Sequence, residues 1–312
     1  MNSSPNAACE VISFYSYKGG VGRSMAVTNV GRLLANQVSQ AGRRVLLIDW
    51  DLEAPGLAQY FPGYVADSAS GLINFFAGNY PDCLREYSPD SVSPSKLEDS
   101  IVQTTDGVDV FPAGRQDATY PGLVSSFNWR ELVRLHPEAL TEFRLELSKK
   151  YAYILIDSRT GVSDISGIST GILPDKLVTL FAPNQQNLAG LRRVVPQILS
   201  FRRTSSDERP LTIFPVPSRF DAMDLNRHQS YMIDFRDLFC ELFKEQYGLE
   251  SVDLEEHFNE TLLPYVPTYS YGERIVVMRE EPDYPGSLRA AYTRLANRLQ
   301  RHVPWRDADE LA

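Results

Sequence analysis

The run Val11-Ile12-Ser13-Phe14-Tyr15-Ser16-Tyr17-Lys18-Gly19-Gly20-Val21-Gly22-Arg23-Ser24 joins three kinds of chain in direct succession. Val11 to Ser16 is short, β-branched and aromatic, the pattern of a buried strand. Gly19, Gly20 and Gly22 then allow tight backbone bends. From Ser24 to Val38, the residues Val27, Val30, Leu34 and Val38 recur at helical spacing. A strand that turns through a glycine loop into a helix gathers backbone N–H groups beside the positive end of the helix dipole, which suits a phosphate. In the pattern G-x-x-x-x-G-K-[ST] the lysine reaches the β- and γ-phosphates and the next hydroxyl ligates magnesium. Ser24 keeps the hydroxyl. Arg23 departs from the pattern, because a planar guanidinium is not a compact ammonium.

Further along, Arg44 to Asp49 reads as a second buried strand, with Asp49 and Asp51 just past its end, and Tyr151 to Asp157 as a third that closes on an aspartate. Ligands of open α/β sheets bind at such carboxyl ends. A magnesium nucleotide needs carboxylates there, to hold metal-bound water or to orient an attacking water. Strand-like and helical stretches alternate throughout, which predicts an α/β fold with a doubly wound, mostly parallel sheet and helices on both faces.

Lys18-Gly19-Gly20-Val21-Gly22 resembles the deviant phosphate loop of the ParA/MinD-type ATPases of the SIMIBI class, and its arginine form is similar to their KGGVGR-motif variant branch. The resemblance spans nearly the whole chain, since Gly71 to Phe76, Val108 to Gly114 and Lys176 to Phe181 fall in order. It implies ATP and Mg2+ as cofactors and an ATP-dependent homodimer in which Lys18 reaches the partner's phosphates. It implies catalytic roles for Asp51, Lys18 and Arg23, with Asp51 orienting water, and places Ser24, Asp49 and Asp157 at the metal. The implied nucleotide-binding set is Lys18, Gly19, Gly20, Val21, Gly22, Arg23, Ser24, Met25, Gly161, Arg219 and Pro267. Gly161 would approach the γ-phosphate. Arg219, after the strand-like run Leu211 to Val216, and Pro267, after Leu263 to Val266, would line the base, although prolines in both runs weaken the strand reading. Arg159 stands where the family usually has proline; it reads either as a γ-phosphate sensor or as a surface arginine paired with Asp164.

The chain has 312 residues and a formal net charge of −9, which argues against a globally basic nucleic-acid binder. Arg192, Arg193, Arg202 and Arg203 flank one helical stretch, where a solvated basic face is preferred to a contact with nucleic acid. Cys9, Cys83 and Cys240 lack metal-type spacing, and His136, His228, His257 and His302 are isolated, so neither a metal site nor a nucleophilic dyad is expected from them. With no signal peptide and no apolar run of about 18 residues, the expected location is cytoplasmic. Residues 1–303 read as one domain, with an insertion or lid around 85–106, and 304–312 as an acidic tail. The segment 224–256 reads as a partner surface. Tyr292, Leu295 and Leu299 mark a C-terminal helix; docking on the sheet is preferred to a membrane-surface role because the acidic end would be repelled by anionic lipid.

Three functions fit these features. The first is a slowly hydrolysing dimeric switch that regulates a partner protein in bacterial signalling or conflict. The second is a nucleotide-holding scaffold without turnover. The third is an ATP-dependent amidoligase or synthetase.

Overall fold

Alternation along β1 (Glu10–Ser16) sets the layers. Ile12 and Phe14 face one apolar cluster, whereas Val11 and Tyr15 face the clusters on the opposite side, as a period of two requires. The computed structural model describes residues 9–61, 70–85, 92–161, 167–203, 209–221, 225–270, 272–279, 286–301 and 303–305. The remaining strands are β2 (Arg44–Asp49), β3 (Val108–Phe111), β4 (Tyr151–Asp157), β5 (Lys176–Phe181), β6 (Thr212–Phe220) and β7 (Leu263–Pro264). They form one seven-stranded sheet in the order β3-β2-β4-β1-β5-β6-β7, with every pairing parallel. The expected sheet was mostly parallel; the observed one is wholly so.

Helices cover both faces. On one, α1 (Arg23–Val38) packs against β2 and β4. The other carries α2 (Leu72–Asn79), α3 (Tyr120–Ser126), α4 (Trp129–Leu135), α5 (Ala139–Ser148), α6 (Gln185–Arg203) and α7 (Leu225–Tyr247). The short α8 (Glu255–Thr261) and the final helix α9 (Leu288–Leu299) follow. Tyr292, Leu295 and Leu299 of α9 are buried in the cluster shared with α1, and Lys176 Nζ donates to the Leu299 and Arg301 carbonyls at 2.6 and 2.9 Å. The helix is thus docked, as the sequence favoured. The final segment begins against the fold too, with Trp305 5.1 Å from the Phe243 ring; residues 306–312 lie outside the described ones.

The prolines of β6 are accommodated by parity. Ile213 N–H points away from β5, donating to the Tyr247 hydroxyl at 3.2 Å. Pro215 and Pro217 share that parity, so their missing N–H groups fall on the β7 side, where pairing starts only at Ser218. The Pro215 carbonyl on that side accepts from His257 Nε2 at 2.8 Å.

The stretch expected as an insertion or lid lies, over 92–106, along the β3 edge. Val102 and Val110 exchange both backbone hydrogen bonds, at 2.8 and 2.9 Å, which covers an otherwise open strand. Residues 86–91 of that stretch lie outside the described ones.

Candidate functional site

Three strand ends and one loop build the site. The loop from Lys18 to Gly22 leaves β1, and Gly20 and Gly22 adopt φ of 78° and 86°, conformations a side chain would strain. A Cβ at Gly19 or Gly20 would meet nothing within 4 Å, so the loop faces open space. The α1 N-terminus has no side-chain cap and no acidic residue in its first turn. Its N–H groups are therefore available to an anion.

Asp49 and Asp157 are register partners at the ends of β2 and β4. Asp49 is fully buried and accepts from the backbone N–H groups of Asp51, Gly56 and Leu57 at 3.3, 3.0 and 3.0 Å, which shapes the loop after β2. Burial, and then the adjacent Asp157, push its carboxyl well above the usual carboxylate range despite those bonds. Ser24 lies close by: a Cβ at Gly56 would be 3.8 Å from its hydroxyl.

Arg23 turns back into this group of acids. Its Nη2 donates to Asp51 Oδ2 at 2.7 Å and its Nε donates to Asp157 Oδ1, with the arginine only 9% exposed. Burial disfavours the guanidinium charge, but Asp157 and then Asp51 more than offset this and hold it protonated. Burial also raises the Asp51 carboxyl, with Arg23 opposing. Removing one partner from such a buried pair costs about 3–5 kcal/mol. No local feature of the sequence marks Arg23 as the partner of both acids.

The other oxygen of Asp157, Oδ2, is buried and has no hydrogen-bond partner among the described residues. A buried anionic oxygen so placed, beside two further carboxylates and a serine hydroxyl, is the hard oxygen set that magnesium and its water shell prefer. These residues fit a magnesium ion, which Asp157 and Ser24 would hold with Asp49 close behind.

Gly161 sits at φ 74°, and its carbonyl accepts from the Tyr15 hydroxyl at 3.1 Å. Arg159 pairs with Glu53 from the loop after β2, so it links the two acidic loops. Asp164, its alternative partner by sequence, lies outside the described residues. Lys18 is exposed, its Nζ 5.7 Å from the Tyr17 ring centroid.

A shallow cleft beside the loop is lined by Val21, Gly22, Met25, Ser218, Arg219, Tyr265 and Tyr269, among others. Arg219 has φ 58°, the one non-glycine positive φ among the described residues, and its guanidinium lies 5.4 Å from the Tyr265 ring centroid. Ser218 Oγ ties β6 to the loop by donating to the Val21 carbonyl at 2.8 Å. Pro267 is exposed and is not among the cleft residues; Val266 stands there instead.

Trp50, between Asp49 and Asp51, is buried against Phe76, Trp129 and Phe143, with ring centroids 6.0, 5.5 and 6.3 Å away. Sequence reasoning missed Trp50, Tyr15, Ser218 and Glu53. A lone tryptophan between two aspartates was the only available signal.

The arginine cluster disperses. Arg202 is buried and donates to the carbonyls of Arg209, Gly171 and Ile172, while Arg192 lies 3.7 Å from Glu241, Arg193 donates to the Tyr17 hydroxyl and Arg203 to Gln246. The residues read as isolated are corrected in one place. His136 Nε2 lies 2.8 Å from Asp82 Oδ2, and Cys83 Sγ is 3.9 Å from Asp82 Oδ1. Burial pushes the Cys83 thiol up to about 12, with Asp82 adding to it, so it is neutral and a poor nucleophile. In the segment 224–256, α7 turns Phe235, Leu238, Phe239 and Phe243 to the core, while Met232 and the exposed Ile233 line a cavity of about 650 Å3 with Phe220 and Phe258.

No protein-family profile matches the chain. It is 24% identical over 208 residues to the ParA family protein MG470 of Mycoplasma genitalium, covering 65% of this chain and 70% of that one. The septum site-determining protein MinD of Pyrococcus horikoshii, solved with Mg-ADP, superposes with a TM-score of 0.61 at 19% identity, over 94% of this chain and 96% of that one. Cobyrinic acid a,c-diamide synthase of Mycobacterium smegmatis, solved with ADP and magnesium, superposes with a TM-score of 0.58 at 17% identity, over 94% and 95%. The expected resemblance to ParA/MinD-type proteins agrees with these ParA family relatives, and the α/β fold with these structures. Among the described residues no helix is long and apolar enough to cross a membrane.

Proposed function

We propose that this chain is a cytoplasmic, slowly hydrolysing Mg-ATP switch that dimerises with nucleotide bound and acts on a partner protein. One observation carries the reading: Asp51, Asp157 and Arg23 converge at the mouth of a glycine loop, with one oxygen of Asp157 unpartnered. The loop N–H groups and α1 hold phosphate, Ser24 and Asp157 hold the metal, and Asp49 fixes the loop that carries Asp51. Asp51 orients the attacking water. Magnesium, when bound, supplies charge neutralisation for the phosphates. The cleft between Met25 and Arg219 takes the base, and exposed Lys18 is free to cross to a second copy. The ParA family relatives and the Mg-ADP complex of a protein with this fold support the same reading.

The test measures ATP turnover and oligomeric mass together in wild type, Lys18→Ala and Asp51→Ala. An ATP-dependent dimer lost in Lys18→Ala and locked in Asp51→Ala is expected. A monomer under saturating Mg-ATP in every variant refutes it. A second reading, a scaffold that binds without turnover, draws on the engagement of Asp51 by Arg23; normal dimerisation with no turnover in wild type would select it.

A further inference from the structure

We infer that Arg23 is the counter-cation of the acidic site and sets the order of entry, keeping a divalent ion off Asp51 and Asp157 until phosphate draws the guanidinium away. The inference rests on the Mg-ATP reading of the same site.

Three carboxylates, those of Asp49, Asp51 and Asp157, come together from β2, its following loop and β4. Two of them meet one cation through different nitrogens of the same guanidinium. The fork is what makes this bridge: its N–H groups point in fixed, divergent directions, whereas an ammonium is a single point donor on a flexible stem. The Arg-for-Lys departure therefore does something that lysine does less well, which is to clamp Asp51 to Asp157.

A divalent ion on Asp157 would stand beside that guanidinium, and the two cations would repel each other where screening by water is weak. While Arg23 holds both acids, the site binds metal poorly. Phosphate oxygens at the loop offer Arg23 a planar, charge-assisted alternative. When Arg23 turns to them it releases Asp51 and Asp157 together. The metal site and the water-orienting acid thus become available in one event that needs phosphate. Among the described residues, Asp157 Oδ2 has no hydrogen-bond partner while Arg23 is in place.

The probe is Mn2+ without nucleotide, followed by loss of the six-line electron paramagnetic resonance signal of the free ion, in wild type, Arg23→Gln and Arg23→Lys. Binding at least threefold tighter than wild type is expected in both variants, with Gln the tighter. Asp157→Asn placed on Arg23→Gln should abolish the gain. Affinities within threefold of wild type overturn the inference, as does a gain that survives Asp157→Asn. If circular dichroism shows Arg23→Gln unfolded, Arg23→Lys decides by the same threshold, with Asp157→Asn placed on it. Binding of a fluorescent ATP analogue is measured in parallel. Failure of wild type to bind it refutes the Mg-ATP reading, whereas normal ATP binding with unchanged Mn2+ affinities refutes only the order of entry.

Discussion

The hydroxyl of Tyr15 donates to the carbonyl of Gly161 at 3.1 Å, so the strand beneath the phosphate loop grips the loop that follows the Asp157 strand. Burial pushes the Tyr15 phenol above its ordinary range, which keeps it a neutral donor. Tyr15→Phe preserves the packing and deletes this bond. Stability should fall by about 1 kcal/mol, read by urea unfolding. Turnover should fall about five- to tenfold, with nucleotide affinity changed less, because in the proposed site Gly161 would face the γ-phosphate and not the base. Equal loss of affinity and turnover would place Tyr15 in ground-state binding instead.

Gly190 on α6 gives way to the Tyr17 ring. A Cβ there would lie 2.1 Å from Tyr17 Cδ1. Alanine in a helix interior normally gains up to about 1 kcal/mol over glycine. Here the overlap should reverse the sign and cost about 1–3 kcal/mol. Tyr17 precedes Lys18, and Arg193 holds its hydroxyl at 2.9 Å. Gly190→Ala should therefore also weaken the ATP-dependent dimer, measured by sedimentation velocity, while leaving monomer nucleotide binding within a few-fold. A variant as stable as wild type would contradict the fit.

His257 makes stability depend on pH. Burial lowers its pKa from 6.5 to about 4. Its Nε2–H donates to Pro215, and its Nδ1 accepts from Arg298 Nε at 3.4 Å. A proton on Nδ1 would face the Arg298 guanidinium. The folded state thus binds fewer protons than the unfolded state between about 4 and 6.5, so stability rises with pH across that window and is lost as pH falls through it. The whole effect is about 3 kcal/mol. Chemical denaturation from pH 5 to 7 should show the slope in wild type and a flatter one in His257→Gln. Identical slopes would remove His257 from the account.

Arg192 and Arg202 lie ten residues apart on α6 and have opposite roles. Arg202 is buried on three backbone carbonyl partners, whereas Arg192 is exposed near Glu241. Arg202→Ala should cost at least 2 kcal/mol, since its carbonyls would be left buried without donors. Arg192→Ala should change stability by less than about 0.5 kcal/mol. Thermal unfolding of the two variants tests the contrast, and equal effects would refute it.

The fold was legible because its signals are local. Val11 to Ser24 carries strand, loop and helix in consecutive residues, and the strands that end at Asp49 and Asp157 announce themselves by apolar runs. The site was legible as a set of residue types and not as a set of contacts. Nothing near Arg23 in sequence indicates that it meets Asp51 and Asp157, 28 and 134 residues away. The prolines of β6 weakened a strand reading that the structure bears out, because sequence does not show which side of a strand lacks a neighbour. His136 looked solitary for a related reason: the turn that brings it to Asp82 is tertiary, with Asn128 N–H on the Cys83 carbonyl at 2.8 Å. The four arginines looked like one patch because spacing along a helix does not reveal burial.

Trp50 gives the acidic loop a mechanical character. Its indole is wedged among side chains of α2, α4 and α5, so the backbone between Asp49 and Asp51 is anchored in a dense layer that bears no ligand. Close-packed aromatic layers resist gradual deformation and rearrange in steps. Any stroke of the loop must first lift that wedge, which gives the device a threshold. The height of any such threshold would be set by Phe76, Trp129 and Phe143, which lie outside the glycine loop.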